Sequence, residues 1–162
     1  MSNDFILTFL TFFPLLGGLL VLALPKSLAR QTAFVFSLVT FLASLQLWFR
    51  FDVSNPGMQF TQIVPWIEQF GIAYRVGIDG ISLFMVLLTT LIMPICVLAS
   101  WQSITDRVKE FMAMMLLLET GMIGVFCALD LFLFYVFWEA MLIPMYFLIG
   151  IWGGPLRVYA AV

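Results

Sequence analysis

The chain has 162 residues, of which 64% are apolar and only 10% are charged, and its mean hydropathy is +1.12. A water-soluble domain cannot hide that much apolar surface, so the composition excludes a soluble protein and predicts that lipid is the solvent. The net charge of −2 comes without a basic run, which argues against a nucleic-acid partner.

The sequence offers no set of metal or cofactor ligands. It contains no histidine, and its two cysteines, Cys96 and Cys127, lie inside apolar runs. This composition removes Cys/His metal sites and the common forms of haem ligation. We therefore expect both cysteines to be packing residues. We also expect no cofactor-binding residue, no metal ligand and no redox chemistry in this chain.

Two uncharged runs predict the first two membrane helices. Residues 5–24 tolerate Pro14 and stop at a Pro-Lys pair. Asp4 replaces the cation of a signal peptide and no cleavage site follows, so we expect this helix to be retained. Residues 31–49 form the second run, and Arg50 follows an aromatic pair as a membrane-edge anchor does.

The pattern changes between residues 52 and 80. Asn55-Pro56-Gly57 is typical of a turn, and the β-branched and aromatic residues that follow favour short strands. We expect a short extramembrane β-hairpin on the membrane surface, in a loop over residues 52–80. Asp79 then precedes a third helix at 81–101, where its side chain can cap the first free N–H groups.

The stretch 111–152 contains only three ionisable residues, namely Glu119, Asp130 and Glu139. One helix of that length would measure about 63 Å, twice the thickness of the bilayer core. We therefore predict a tight turn at Asp130 between a fourth helix at 111–129 and a fifth at 131–152. The predicted fold is all-α, a polytopic membrane bundle of about five transmembrane helices with a short hairpin, in a single membrane domain over residues 1–162.

The cations predict the orientation of the bundle. Cytoplasmic loops are rich in Lys and Arg. The loops after the first, third and fifth helices hold five cations and the other side holds only Arg50 and Arg75, which predicts a periplasmic N-terminus and hairpin. The five are Lys26, Arg30, Arg107, Lys109 and Arg157.

Two glutamates are the candidates for chemistry. Glu119 and Glu139 lie 11 and 9 residues from the turn at Asp130, which places them at similar depths about 16 and 14 Å along their helices. A carboxylate at the bilayer centre costs about 2.5–3.5 kcal/mol, and such residues mark proton or ion paths. The alternative is that each stays protonated and hydrogen-bonds to a neighbouring helix. Spacing along the chain fixes their depth and leaves open whether they face each other.

The surroundings of Glu139 favour a proton path. Tyr135 and Tyr146 lie on about the same helical face as Glu139. Pro144 removes the hydrogen bond to the carbonyl of Ala140, which leaves an acceptor beside the carboxyl group. The alternative is that the tyrosines are packing aromatics and that Pro144 is only a kink.

The segment Asp130-Leu-Phe-Leu-Phe-Tyr-Val-Phe-Trp-Glu139-Ala-Met-Leu-Ile-Pro144-Met-Tyr resembles the fifth helix of subunit 4 (chain M) of the proton-pumping NADH:quinone oxidoreductases, respiratory complex I. Val76-Gly-Ile-Asp79-Gly-Ile-Ser-Leu and Gly124-Val-Phe-Cys-Ala-Leu resemble the same family. The resemblance covers residues from about 66 onward, and the first 65 match in layout only.

The resemblance implies a proton-translocating, antiporter-like subunit of the cell inner membrane. Its glutamate at the position of Glu139 belongs to the proton channel, whereas the position of Glu119 is less uniform in the family. NADH and quinone would be used elsewhere in the complex, and the partners would be lipid and neighbouring antiporter-like subunits. Family members continue through further helices whose lysines face the glutamate, so we expect the sequence to be incomplete at its C-terminus.

Two alternatives remain open at this point. A subunit of a multi-subunit cation/proton antiporter or of a membrane-bound hydrogenase would use related helices with different coupling. A non-functional truncated membrane protein would leave both glutamates permanently protonated. Sodium dependence and genome neighbours separate the first alternative from complex I.

Overall fold

The computed structural model describes residues 5–161, which form five long helices, one short helix and a two-stranded hairpin. Each long helix is long and apolar enough to cross a membrane, so the chain is a multi-pass membrane protein and the predicted fold class is confirmed. The elements are α1 (Ile6–Ala23), α2 (Lys26–Arg50), β1 (Gln59–Ile67), β2 (Ile72–Ile78), α3 (Gly80–Ser103), α4 (Val108–Cys127), α5 (Leu131–Trp152) and α6 (Arg157–Ala161).

The hairpin is antiparallel and is attached to the bundle. A 3₁₀ turn at Glu68–Phe70 joins the strands, and Gly71 adopts a left-handed φ of 68° that glycine accepts without strain. Strand β2 forms a bridge from Val76 to Ala128, and the N–H of Leu129 donates to the Arg75 carbonyl at 2.8 Å. The strand therefore forms hydrogen bonds with the backbone that follows Cys127. As a result, α4 ends two residues before the predicted position.

Aspartates begin the two helices that follow the hairpin and the tight turn. The Asp79 carboxylate accepts a hydrogen bond from the Ser82 N–H at 2.7 Å, which confirms the predicted cap of α3. Asp130 accepts from the N–H groups of Phe132 and Leu133 at 2.9 and 3.1 Å, so the predicted turn also caps α5. Since backbone N–H groups stabilise the charged form, the pKa of each aspartate is lowered.

Helix α2 begins at Lys26, five residues before the predicted start, so Lys26 and Arg30 are helical rather than loop residues. Their side chains reach across to the end of α3. Lys26 Nζ donates to the Thr105 carbonyl at 3.4 Å, and Arg30 Nη2 donates to the Ile104 carbonyl at 2.8 Å. These bonds satisfy carbonyls that follow the C-terminal end of α3. They also hold Lys26 and Arg30 in α2, which therefore begins before its apolar segment.

Helix α4 lies at the centre of the bundle, where it packs against α1, α2, α3 and α5. Two glycines allow the approach of α5. A Cβ on Gly124 would overlap the Phe137 ring, and one on Gly121 would lie 3.0 Å from the Met141 Cβ. Helix α5 packs mainly on α4 and leaves its remaining surface exposed.

Candidate functional site

The bundle interior contains two separate apolar clusters, one near the hairpin and one near the opposite side. The hairpin-side cluster includes Leu10, Leu47, Val86 and Ile123. The opposite cluster includes Val21, Ala33, Val97, Met112 and Leu116. Each cluster draws residues from all of the first four helices, so the space between the clusters forms one level of the bundle.

Buried polar side chains occupy that level. In α3, Thr89 and Thr90 lie between the cluster residues Val86 and Val97, and the same order holds in α1, α2 and α4. We call this set the polar layer: Thr11, Ser37, Thr40, Ser44, Thr89, Thr90, Glu119 and Thr120. The sequence did not predict this layer of hydroxyls, because Ser and Thr are ordinary residues in membrane helices.

Most hydroxyls of the polar layer are bonded within their own helices. Six hydroxyls lie 2.7–3.1 Å from a carbonyl three or four residues earlier in the same helix: those of Thr11, Ser37, Thr40, Ser44, Thr89 and Thr90. One bond crosses between helices, since the Ser44 and Thr90 hydroxyl oxygens lie 2.8 Å apart. Pro94 removes the N–H that would bond the Thr90 carbonyl, which provides a further acceptor at this level.

Glu119 is the one ionisable side chain of the polar layer. Its exposed fraction is 0%, and within residues 5–161 neither carboxyl oxygen has a hydrogen-bond partner. The hydroxyl of the adjacent Thr120 also has no partner in this part of the chain. The interhelical hydrogen bond that a purely structural glutamate would make is therefore not formed among the described residues.

Glu139 lies on the opposite, exposed face of α5. The α5 residues that meet α4 are Phe137 and Met141, and Glu139 is two positions from each, or about 200° around the helix. Its side chain is exposed accordingly. The Tyr135 hydroxyl interacts with the Glu139 carboxylate, Tyr146 is exposed on the same helix, and Pro144 is buried.

The two glutamates lie at similar depth and point to opposite sides of the α4–α5 contact. Glu119 is two residues before Gly121, which meets α5, so its side chain also points about 200° away from that contact. Because Phe137 opposes Gly124 and Met141 opposes Gly121, Glu139 is about one helical turn, or 5 Å, from the level of Glu119. They form two separate sites.

Two family models match the chain, and together they cover nearly all of it. The model described as NADH-ubiquinone oxidoreductase chain 4, amino terminus, matches residues 5–125. The chain belongs to this family. The model described as NADH:quinone oxidoreductase/Mrp antiporter, TM, matches residues 128–162. The two matches meet at the end of α4, so Glu119 lies in the chain 4 region and Glu139 lies in the region shared with Mrp antiporters.

Relatives and a solved structure agree with membership of the chain 4 family. The chain is 46% identical to NADH-quinone oxidoreductase subunit M of Rhodobacter capsulatus, over 96% of this chain and 31% of the relative. It is 46% identical to NADH-ubiquinone oxidoreductase chain 4 of Arabidopsis thaliana, over 89% and 30%. It superposes on a chain of respiratory complex I from Thermus thermophilus with bound NADH at a TM-score of 0.80 and 28% identity, covering 96% of this chain and 31% of that one.

The chain thus spans about a third of the length of the chain 4 relatives it matches. Within residues 5–161, no three His, Cys, Asp or Glu side chains are grouped so that they could hold a metal ion.

Proposed function

We propose that the chain acts in a proton-translocating membrane subunit of an NADH:quinone oxidoreductase, coupling quinone reduction elsewhere in the complex to proton transport. The observation that carries the proposal is the carboxyl group of Glu139, in the interior of the long apolar helix α5 and on its exposed face. Membership of the chain 4 family supports this function over an unrelated channel.

The exposed face of α5 needs a protein partner. A carboxylate facing hydrocarbon costs several kcal/mol, whereas one that faces another helix can pair with a cation or a hydrogen-bonding group. The relatives are about three times as long as this chain, so further helices of the same subunit can supply that partner. We propose that lysines of such helices face Glu139, and that neighbouring membrane subunits of the complex complete the surroundings.

Glu139 would act as a switchable proton carrier. When a facing lysine is charged and close, it stabilises the carboxylate, and when the lysine loses or moves its charge, the carboxylate takes up a proton. The Tyr135 hydroxyl at the carboxylate and the Ala140 carbonyl freed by Pro144 can order water beside it. NADH and quinone would bind elsewhere in the complex. The complex would lie in the cell inner membrane, with the N-terminus of this chain periplasmic.

The test is the substitution Glu139→Gln in the assembled complex, with proton transport driven by NADH in sealed vesicles. Gln keeps the size and polarity of the side chain but cannot ionise, so we expect coupled transport to be lost. Glu139→Asp keeps the carboxyl group and should retain part of it. The matched control is Glu110→Gln, since Glu110 is partly exposed in the first turn of α4 beside Arg107. Normal transport by Glu139→Gln would contradict the proposal.

A second candidate is a subunit of a cation/proton antiporter, which the family model over residues 128–162 favours by its description. The two functions differ in coupling. Proton transport that needs NADH oxidation and is independent of sodium supports the oxidoreductase, and sodium-dependent transport without NADH supports the antiporter.

A further inference from the structure

The polar layer contains a carboxyl group that the proposed proton path through Glu139 does not use. We propose that Glu119 and Thr120 form a second, internal proton-binding site, in which Glu119 holds the proton and water bridges the two side chains. Its role in transport rests on the proposed function, whereas its capacity to bind a proton rests on the geometry of the layer alone.

Glu119 has no cation near it on the helices that surround α4. An ionised carboxylate buried without a cation is strongly destabilising. Helices α1 and α3 contain no ionisable residue that could compensate it, and the cations of α2 lie at its ends: Lys26, Arg30 and Arg50. In α5 the sole charged residue is Glu139, which is also acidic and points away. The neutral acid is therefore the form that this position accommodates.

The side chains of Glu119 and Thr120 both need hydrogen-bond partners. A protonated carboxyl group carries one donor and further acceptor capacity, and Thr120 adds a hydroxyl on the same turn. Both groups are buried and have no partner among residues 5–161. Buried polar groups are nearly always bonded to protein or to water, and a buried water typically makes about three hydrogen bonds. Water that bridges Glu119 and Thr120 satisfies both.

Oxygen atoms that can accept hydrogen bonds lie at the same level of the bundle as Glu119. Glu119 lies midway between Leu116 and Ile123 of α4, as Thr90 lies between Val86 and Val97 of α3. Because these helices are antiparallel, the level of Glu119 matches that of Thr90. The Thr90 carbonyl is freed by Pro94, and its hydroxyl is paired with Ser44. The layer is thus rich in oxygen acceptors, which suits a bound proton shared with water.

The α4–α5 contact separates this site from Glu139. Gly121, Gly124, Phe137 and Met141 lie in that contact, and none of them has a hydroxyl, amide or charged side-chain group that could transfer a proton. The family models divide the chain in the same way, with Glu119 in the chain 4 region and Glu139 in the region shared with Mrp antiporters. Proton binding at Glu119 is accordingly a property of this subunit's own helices.

The experiment measures the infrared carbonyl band of protonated carboxyl groups in the assembled complex, in H2O and in D2O. We expect Glu119→Gln to remove one deuterium-sensitive band that Glu110→Gln leaves unchanged. Glu119→Asp should retain a band at a shifted frequency, and Thr120→Val should shift the band without removing it. A complete set of bands in Glu119→Gln would overturn the proposal, as would a band that Thr120→Val leaves unmoved.

Proton transport by the same variants tests the role of the site. Glu119→Gln should lower NADH-driven transport by about twofold to tenfold, the effect of losing one buried hydrogen-bonding interaction, with less loss in Glu119→Asp. NADH oxidation with an artificial acceptor serves as the measure of assembly. If Glu139→Gln abolishes transport and an assembled Glu119→Gln transports normally, the role of the second site in transport is refuted while the proposed function stands. Normal transport by Glu139→Gln instead refutes the proposed function. In that case the infrared band alone tests proton binding at Glu119.

Discussion

At the scale of single residues, the clearest electrostatic features outside the membrane are the aspartates that begin α3 and α5. Asp79 accepts the Ser82 N–H, and Asp130 accepts those of Phe132 and Leu133. Each satisfies N–H groups that have no partner within the first turn of a helix. The Asp130 cap sets where α5 begins and therefore how far along that helix Glu139 lies.

The Asp79 cap gives a prediction about stability and pH. Asp79→Ala should destabilise the protein by about 1 kcal/mol at neutral pH, and Asp79→Asn should be close to wild type because Asn also caps. The pKa of Asp79 is lowered in the folded protein, so its contribution is complete above the ordinary Asp pKa and is lost as pH falls through the lowered value.

The measurement is the unfolding temperature in detergent between pH 7 and pH 3. Wild type should lose its advantage over Asp79→Ala at the acid end, while the difference between Asn and Ala changes little. An advantage of wild type that grows on acidification would show that the carboxylate is not the stabilising form.

At the scale of helices, the contact between α4 and α5 fixes the directions of both glutamates. Gly121 and Gly124 let the α5 side chains Met141 and Phe137 approach the α4 backbone. This contact places Phe137 and Met141 inward, and the helical period then turns Glu139 outward. Two glycines on one helix thus decide the surroundings of a carboxyl group on another.

Gly124→Ala tests this contact. A Cβ at this position would overlap the Phe137 ring, so we expect a net destabilisation of about 1–3 kcal/mol despite the better helix propensity of Ala. Gly80→Ala is the matched control, because the space beside Gly80 is open. Thermal unfolding in detergent measures both. An equal effect of the two substitutions would mean that the α4–α5 contact is not close.

The helix count, the class of fold and the position of α5 could be predicted from the sequence, because long apolar runs and Pro, Gly and Asp at their ends are strong local signals. The start of α2 could not, since Lys26 and Arg30 extend the helix by bonding to carbonyls distant in sequence. Likewise, α4 ends at Cys127 because β2 bonds to the next residues. Both are tertiary effects.

The candidate site was predictable in depth and not in direction. Counting from Asp130 placed Glu119 and Glu139 at one level, but the direction of each side chain depends on which helices surround it. The small residues of α2 at near-regular helical spacing, Ala29, Ala33, Ser37, Thr40 and Ser44, were a signal that could have located the polar layer.

At the scale of the whole molecule, the bundle is defined by its central helix and by the two sides on which its loops lie. Hairpin residues 52–79 cover one end, and the loop between α3 and α4 covers the other, where Lys26 and Arg30 bind its carbonyls. The excess of cations at that second end is the basis for our proposed orientation.

The orientation is testable by labelling. After replacement of Cys96 and Cys127, a cysteine at Asn55 should react with a membrane-impermeant maleimide added to intact spheroplasts. A cysteine at Thr105 should react only after the membrane is permeabilised. These positions lie at opposite ends of the bundle, so each is the control for the other. The reverse labelling pattern would invert the proposed orientation.

The close contact of α4 and α5 also separates the carboxyl groups of Glu119 and Glu139. Glu119 and Glu139 lie about one helical turn apart in depth, and Gly121, Gly124, Phe137 and Met141 lie in the contact between their helices. If both carboxyl groups bind protons as proposed, an apolar contact between them keeps proton binding at one independent of proton binding at the other. We expect that a polar side chain introduced into this contact would let protons pass between Glu119 and Glu139. The glycines and apolar side chains of the contact thus keep the two carboxyl groups separate.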